Sequence, residues 1–287
     1  MVFAKGMAGT IGNIPSARQP ARPAPSSAPV PPRDSLEIPG RPRPWVMAHR
    51  GACDLAPENT LESFALAIEH GADLLETDLW LSSDGEIVCH HDPTLLRTTG
   101  DPRRVNQLSA KQLGGLRVHD GEGKGDREGI PRLAELLELV PDHIPVILEI
   151  KDPLLAHPGP IAKLLEVLGS RARENRAGII TFDLRLLRKV KAIAPGLVTG
   201  HISMRGLRGA KDVDMLGPWW PLLRVSPGYV AAAQARGQRV CPLDPHLHSP
   251  GHLDRWLALG VDAVLTNDPR KTRNEIQRLG GHAQTPR

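Results

Sequence analysis

The sequence predicts an α/β fold, a (β/α)₈ TIM barrel with an extended hairpin after its second strand and a short insertion. From residue 45 onward, short apolar runs alternate with segments of helical length, which is the pattern of βα units around a parallel sheet. Nine such runs are present, and a hairpin explains one of them. The other eight lie within residues 45–287, a length close to the ~250 residues typical of such a barrel. An open, doubly wound sheet fits the alternation almost as well, and periodicity alone does not decide.

The apolar runs are predicted to be strands, at Trp45–Ala48, Leu74–Leu81, Ile87–Cys89, Val146–Ile150, Gly178–Phe182, Leu197–Ile202, Leu222–Val225, Val240–Leu243 and Ala263–Leu265. The predicted helices between them include Leu61–Glu69, Leu133–Leu139, Ile161–Arg173, Leu184–Ala194, Tyr229–Ala235 and Leu253–Leu259. Ser83-Asp84-Gly85 separates the second run from the third, and Asp-Gly between two strand-like runs is a strong hairpin signal. Ile87–Cys89 is therefore predicted to be the returning arm of an extended second strand.

The first 44 residues differ in composition from the rest of the chain. They hold ten of the 28 prolines, with six basic residues against two acidic ones. Such a segment has little to bury and cannot offset the entropy lost on ordering. We predict a disordered tail over residues 1–44, followed by one barrel domain over residues 45–287. A transit peptide would share the basic composition, but no amphipathic helix is evident in this segment.

The composition also excludes several classes of protein. The net charge of +4 lies entirely in the first 44 residues, so the calculated pI of 9.1 gives no support for nucleic-acid binding by the neutral barrel domain. Three cysteines are too few for a disulfide framework. No stretch reaches the ~18 apolar residues of a membrane span, and residues 1–15 lack the apolar core of a secretory signal. We therefore expect a cytoplasmic protein without a transmembrane segment.

Acidic residues are placed unusually in two of the predicted strands. Glu76 and Asp78 are two residues apart, so a strand would present both carboxylates on one face. Glu149 and Lys151 repeat this spacing at the end of a second apolar strand. A single pair of this kind would be explained by a solvated sheet edge, whereas its recurrence at strand ends is typical of a barrel active site. Three acids that converge on one ion would suit Mg²⁺ or Ca²⁺ better than zinc.

The first predicted strand ends in His49-Arg50-Gly51, which offers a proton-exchanging group and a planar donor for phosphate. Pro57-Glu58-Asn59-Thr60 then leads into a helix, with Asn59 or Thr60 as its N-cap, although helix capping does not explain Glu58. The returning arm of the hairpin brings His91-Asp92 towards the level of the acids, where Asp92 could orient the imidazole. His90 should point to the other side of the strand, and we interpret it as a bystander.

Taken in this order, the residues resemble the glycerophosphodiester phosphodiesterase family. The match is dense over residues 46–100 and 146–152, and it becomes looser from Ile179 to Asp268. Each motif is weak alone, and their order makes the front half of the match specific. The motifs are His49-Arg50-Gly51, Pro57-Glu58-Asn59-Thr60, Glu76-x-Asp78, Asp84-Gly85, His91-Asp92 and Glu149-Ile150-Lys151.

The resemblance implies a (β/α)₈ barrel that uses one divalent cation, Mg²⁺ or Ca²⁺, to hydrolyse glycerophosphodiesters to glycerol 3-phosphate and an alcohol. A cation with basic residues around it stabilises the charge that builds on the phosphate oxygens, while two imidazoles transfer protons. The nucleophile implied by family precedent is the substrate's own glycerol hydroxyl, giving a cyclic phosphate that water then opens. By resemblance, the metal ligands are Glu76, Asp78 and Glu149, the acid/base pair is His49 and His91, and the substrate or phosphate contacts are Arg50, Lys151 and Glu58.

Two departures from the family pattern concern the substrate. The family usually has a Trp-Thr segment on the seventh barrel strand, where this chain has Val240-Cys241-Pro242-Leu243-Asp244. Asp244 is either a replacement polar contact or a solvated acid of the loop. The segment Leu96–Ile130 is shorter than the insertion of many relatives, and we interpret it as a small loop over the mouth of the site without an independent domain.

Two other functions remain open. A lysophospholipase D acting on lysolipids would need exposed apolar loops, for which Gly217–Leu222 is the candidate stretch. A barrel that binds phosphodiesters without cleaving them would not need an acid/base pair of histidines.

Overall fold

The computed structural model describes residues 36–119, 128–204 and 211–280. Its strands are β1 (Trp45–His49), β2 (Leu74–Leu81), β3 (Ile87–Cys89), β4 (Val146–Ile150), β5 (Ala177–Thr181), β6 (Val198–Ser203), β7 (Met215–Pro218), β8 (Arg239–Val240) and β9 (Ala263–Thr266). Its α-helices are α1 (Leu61–Glu69), α2 (Leu96–Thr99), α3 (Ala110–Gly114), α4 (Leu133–Leu139), α5 (Pro158–Leu168), α6 (Ser170–Arg173), α7 (Leu184–Ile193), α8 (Trp220–Val225), α9 (Tyr229–Gln234), α10 (His252–Leu259) and α11 (Pro269–Arg278). Two 3₁₀ turns occupy Val105–Gln107 and Pro153–Ala156.

Eight parallel strands form a nearly closed TIM barrel, as the sequence predicts. The order in the sheet is β8-β7-β6-β5-β4-β2-β1-β9, so each of these strands lies beside its neighbours along the chain. This order has no reversal, and it excludes the doubly wound alternative. The two ends of the sheet meet where Asp262 N–H donates to the Val240 carbonyl at 2.9 Å, and the Asp262 carboxylate accepts the Val240 N–H at the same distance. β3 pairs antiparallel with β2, which confirms the predicted hairpin.

The prediction of a strand over Leu222–Val225 is wrong, because these residues belong to α8. The sixth parallel strand is instead β7, which the sequence does not predict because Gly217 and Pro218 are unfavourable residues within a strand. Pro221 in the first turn of α8 is a helix-start signal, since proline there gives up no internal hydrogen bond. The predicted helix Ile161–Arg173 is likewise divided, at Gly169, into α5 and α6.

The insertion after the hairpin is more ordered than the small loop we expect from its sequence. It contains α2, α3 and a 3₁₀ turn, which pack against the hairpin around an apolar cluster of their own. Residues 120–127 of the insertion lie outside the described residues. The buried members of the cluster are Val88, Leu95, Val105, Leu108, Ala110, Leu113, Val118 and Ile130.

The base of the barrel, at the amino ends of the strands, is filled by apolar side chains from before β1. Leu36 and Ile38 are buried there against Trp45 and the inward residues of the strands. Arg43 adds an ion pair to Asp262 at 3.0 Å. Residues 36–44 therefore pack on the barrel, although composition assigns them to the predicted tail, whose residues 1–35 lie outside the described part of the chain.

Three buried aspartates hold neighbouring strands together by the same device. Each stands directly before or near the start of a strand, and its carboxylate accepts a backbone N–H from the preceding strand in the sheet. These bonds satisfy donors that would otherwise be buried without a partner. The pairs are Asp73 with Val46 N–H at 2.9 Å, Asp214 with Thr199 N–H at 2.8 Å, and Asp262 with Val240 N–H at 2.9 Å.

Among the described residues, no helix combines the length and the apolar character that crossing a bilayer requires.

Candidate active site

The three predicted metal ligands lie together on the inner face of the barrel. Asp78 of β2 and Glu149 of β4 are opposite each other in the parallel register, and Glu76 precedes Asp78 on the same face. One carboxylate oxygen from each acid lies within 4.8 Å of the others. All three residues are at least 92% buried. Side chains of two adjacent strands thus form one acidic cluster at the carboxyl ends of the barrel strands.

The charges of this cluster are only partly balanced. Burial, followed by the nearby charges of Asp78 and Glu149, raises the pKa of Glu76 well above its ordinary value. Burial also raises the pKa of Glu149, despite Lys151 Nζ at 2.7 Å. Asp78 Oδ1 is buried without a hydrogen-bond partner, with Lys151 Nζ at 3.3 Å. Three crowded carboxylates, one with an oxygen that accepts no hydrogen bond, are a donor set that fits a hard divalent cation.

The turn after β1 directs Arg50 at the acids. Its backbone has a φ of 55°, and its N–H donates to both the carbonyl (3.0 Å) and the carboxylate (3.2 Å) of Glu76. The guanidinium lies 3.1 Å from both Asp78 and Glu58. Burial alone would lower the pKa of Arg50, yet these carboxylates raise it. The next residue, Gly51, has a φ of 87°, and a Cβ there would stand 2.6 Å from the backbone carbon of Ser63.

Asn59 is a structural part of this site, beyond a helix-capping role. Thr60 is the N-cap of α1, where its hydroxyl accepts the Ser63 N–H. Asn59 instead adopts a φ of 57° and is 97% buried. Its Nδ2 donates to Asp78 Oδ2 at 3.1 Å, and its Oδ1 accepts the Thr77 hydroxyl at 2.7 Å. Asn59 therefore fixes the orientation of the central carboxylate of the cluster.

His49 lies at the end of β1, with its Nδ1 2.9 Å from Asn267 Oδ1. Asn267 Nδ2 donates to Asp54 at 3.2 Å, so its Oδ1 faces the imidazole. Nδ1–H of His49 consequently donates to Asn267, and Nε2 remains available for proton transfer. Burial and the charge of Arg50 lower the pKa of His49 to about 4, which keeps the ring neutral at pH 7.

His91 is oriented by the carboxylate of the next residue, Asp92, as the sequence suggests. Its Nδ1 lies 2.5 Å from Asp92 Oδ1, and the other oxygen of Asp92 accepts a 2.6 Å hydrogen bond from Arg97 Nε. Burial lowers the pKa of His91 below its ordinary value. His90 is buried and bonded to the Thr94 carbonyl at 3.2 Å, on the side away from the acids.

Comparison with known proteins assigns the chain to a family. The sequence matches the model of the glycerophosphoryl diester phosphodiesterase family over residues 49–271. A glycerophosphodiester phosphodiesterase of Caldanaerobacter subterraneus subsp. tengcongensis is 32% identical over 251 residues, 82% of this chain and 98% of that protein. The chain belongs to the glycerophosphoryl diester phosphodiesterase family. It is therefore a phosphoric diester hydrolase, as its motifs predict.

Other members of the family agree with this assignment. A probable glycerophosphodiester phosphodiesterase of Mycobacterium tuberculosis is 31% identical over 252 residues, 80% of this chain and 91% of that protein. Among solved structures, an Oleispira antarctica phosphodiesterase in complex with the product sn-glycerol-3-phosphate has a TM-score of 0.69 and 28% identity, over 82% of this chain and 97% of that one. A putative enzyme of Galdieria sulphuraria has a TM-score of 0.71 and 26% identity, over 82% of this chain and 98% of that one.

The site opens into a cavity of about 520 Å³. Its lining combines Glu76, Glu149, His49, His91 and Lys151 with apolar side chains that include Ile180, Phe182, Ile202, Trp219 and Leu243. Cys241 and Leu243 line the cavity just after β8, in the segment where the family usually has Trp-Thr. Asp244 is not a solvated loop acid, because it is buried and accepts hydrogen bonds from Trp256 Nε1 (2.7 Å) and His252 Nδ1 (2.8 Å).

Two residues that contact the predicted site residues carry little signal in the sequence. Asn267 follows β9 at the carboxyl end of a barrel strand, where active-site residues of this fold collect, and that position is the signal that could have identified it. Arg97 lies within the insertion, and nothing in its local sequence indicates that it reaches Glu58 and Asp92. Both residues act through tertiary contacts, which no local pattern encodes.

Proposed function

We propose that this enzyme hydrolyses glycerophosphodiesters to glycerol 3-phosphate and an alcohol, with one divalent cation and two histidines. The observation that carries the proposal is the buried cluster of Glu76, Asp78 and Glu149, with the imidazoles of His49 and His91 beside it in the lining of one cavity. The product complex of the Oleispira antarctica relative, which contains sn-glycerol-3-phosphate, supports the same substrate class.

The cation would be held by the three carboxylates, as Mg²⁺ or Ca²⁺. The lack of a hydrogen-bond partner at Asp78 Oδ1 and the raised pKa of Glu76 support this assignment, because three carboxylates share only the nearby charges of Arg50 and Lys151. When bound, such an ion supplies Lewis-acid stabilisation of the phosphate oxygens.

Arg50 and Lys151 would contact the phosphate from either side of the acids. Their charges oppose the repulsion that an anionic substrate meets beside three carboxylates. Glu58 serves the phosphate site indirectly in this proposal. Its carboxylate holds the Arg50 guanidinium at 3.1 Å, while a direct approach to phosphate would be repulsive.

His49 and His91 would share the proton transfers. Each donates through Nδ1 to a fixed acceptor, Asn267 or Asp92, and so presents Nε2 in a defined tautomer. One ring removes the proton of the attacking glycerol hydroxyl, and the other protonates the alkoxide that leaves, which gives a cyclic phosphate. Water then attacks the phosphorus of this cyclic ester and opens it to glycerol 3-phosphate, with the two rings exchanging their roles as acid and base. Which histidine is the base and which is the acid depends on which of them lies beside the glycerol hydroxyl and which beside the leaving alcohol.

Release of glycerol 3-phosphate from glycerophosphocholine tests the proposal, measured with Mg²⁺, with Ca²⁺ and with a chelator. We expect cation-dependent release by the parent and a fall of roughly 10²–10⁴-fold for His49→Ala and for His91→Ala. The exposed His143 provides the matched control, since His143→Ala should retain the parent rate. Chelator-resistant release would contradict the metal site, and parent-like rates in either site variant would contradict the two-histidine mechanism.

A second candidate substrate is a lysolipid, favoured by the apolar side chains in the lining of the cavity. Phe182, 45% exposed, and Met204, 47% exposed, follow adjacent strands at the mouth of the barrel. Release from lysophosphatidylcholine alone would indicate this lysophospholipase D activity. No release from either substrate by folded protein would indicate a barrel that only binds phosphodiesters.

We also propose a cytoplasmic enzyme, which its three free cysteines support.

A further inference from the structure

The insertion after the hairpin contacts the site through Arg97. The guanidinium of Arg97 donates two hydrogen bonds to the Glu58 carboxylate, from Nη1 at 2.8 Å and from Nη2 at 2.6 Å. Its Nε donates a third to Asp92 at 2.6 Å. Glu58 and Asp92 come from different loops, and their charges would repel each other without a cation between them. Arg97 therefore joins two acidic side chains that the chain separates by 34 residues.

Each of these two acids also contacts a residue of the proposed catalytic machinery. Asp92 holds Nδ1 of His91 at 2.5 Å, and Glu58 holds Nη1 of Arg50 at 3.1 Å. The chain of contacts thus runs from His91 through Asp92, Arg97 and Glu58 to Arg50. All its links are charge-assisted, and the contact between Arg97 and Glu58 is bidentate, which fixes geometry as well as charge.

The position of Arg97 is set by the packing of the insertion. Its neighbour Thr98 is buried, and so is Leu95 just before α2. Leu95 N–H donates to the Arg103 carbonyl at 2.9 Å, and the Thr98 carbonyl accepts the His119 N–H at 2.9 Å. The guanidinium is consequently presented from a fixed short helix, while the side chain itself stays 47% exposed.

We propose that Arg97 is a positioning residue, which sets the distance between the proton-transferring His91 and the phosphate-binding Arg50. This inference rests on the proposed function, because it assigns the insertion a part in the same reaction. A guanidinium is needed for it, since an ammonium cannot donate to both carboxylates in this forked geometry. Loss of Arg97 frees Asp92 to rotate away from His91, and it leaves Glu58 to draw Arg50 away from the phosphate.

The first test compares Arg97→Met with Arg103→Met. Arg103 lies in the same insertion with a similar exposure, and its side chain is paired with Asp101. We expect kcat for glycerophosphocholine to fall roughly 10–100-fold in Arg97→Met, because a shift of about 1 Å in reacting groups can cost that much. Melting curves should show both variants folded at the assay temperature, with Arg97→Met melting below Arg103→Met because it loses a bidentate contact within a network of charges. Arg97→Lys should recover only part of the lost rate. Equal rates in the Arg97→Met and Arg103→Met variants would overturn the proposal.

The second test asks whether Arg97 acts through its two acids. In an Asp92→Asn background, Arg97→Met should lower kcat much less than in the parent, because the link to His91 is already broken. In a Glu58→Gln background, it should have little further effect on KM or on the calorimetric Kd for glycerol 3-phosphate. Effects that multiply in both backgrounds would overturn the proposal.

Binding of glycerol 3-phosphate also separates this inference from the proposed function. A parent enzyme that releases no product would defeat the proposed function. The calorimetric Kd would then still decide about Arg97, with an expected loss of roughly 10-fold in Arg97→Met through the displaced Arg50. An unchanged Kd together with an unchanged kcat would overturn the positioning role alone.

Discussion

Replacement of Asn59 by glycine or by alanine separates the two roles of this residue. Asn59 adopts a φ of 57° and is buried between β2 and the start of α1. Its side chain connects Asp78 at 3.1 Å with the Thr77 hydroxyl at 2.7 Å. Both substitutions remove the two hydrogen bonds, but glycine tolerates the left-handed backbone and alanine does not.

The expected loss of stability follows from these contacts. A hydrogen bond to a charged group contributes about 1.5–3 kcal/mol, and the bond from the Thr77 hydroxyl contributes about 1 kcal/mol. Asn59→Gly should therefore reduce the free energy of unfolding by about 2.5–4 kcal/mol. Alanine adds left-handed strain, partly offset by the smaller entropy of its unfolded chain, so Asn59→Ala should lose about 1 kcal/mol more.

The assay combines urea unfolding with titration of the divalent cation against activity. Partners that orient metal ligands typically contribute 10–100-fold to metal affinity, so both variants should need roughly that much more Mg²⁺ or Ca²⁺ for half-maximal rate. Saturating cation should restore most of the rate, because the proposed reacting groups remain in place. A parent-like cation requirement in both variants would refute the reasoning that Asn59 orients Asp78. Equal stability of the two variants would refute the argument from backbone strain.

Three further predictions concern the barrel frame. Gly51→Ala should lower the free energy of unfolding by about 2–5 kcal/mol in urea titrations, because a positive φ and a contact with Ser63 both oppose a Cβ; stability equal to the parent would contradict this. Asp262→Ala leaves the Val240 N–H buried without its carboxylate acceptor and also removes the ion pair with Arg43, so we expect a loss of about 1–4 kcal/mol and faster hydrogen exchange at that amide. Unchanged exchange would show that the ends of the sheet are held by other contacts. Burial lowers the pKa of His49 to about 4, so the unfolded chain binds the extra proton between pH 4 and 6.5 and stability falls as pH drops through that window. His49→Asn should show a weaker acid dependence of the urea midpoint, and an unchanged dependence would contradict the burial effect.

The sequence is informative about this site where the signal is local. Strand alternation places Glu76 and Asp78 on one face whatever the tertiary structure, and the register of β2 with β4 then adds Glu149. The hairpin is also local, because Asp84-Gly85 specifies the turn. For such features the physical cause lies within a few residues of the chain.

Other features depend on contacts that the local sequence does not encode. Leu222–Val225 is a short apolar run, which fits a strand and a buried helix equally well, and it forms α8. The role of Asn59 depends on Asp78, which is 19 residues away, and that of Asn267 depends on His49, which is 218 residues away. A single sequence cannot identify such pairs, because each partner alone resembles an ordinary cap or loop residue.

The packing of Leu36 and Ile38 at the base of the barrel determines where the chain can be cut. A deletion that ends at residue 35 leaves Leu36 and Ile38 in place. One that ends at residue 44 removes both of these side chains together with the Arg43 ion pair. The second deletion would uncover Trp45 and the inward side chains around it, which favours self-association of the shortened protein. A fusion partner or a protease site therefore belongs before Leu36, and the composition boundary near residue 44 is a poor guide to the smallest stable domain.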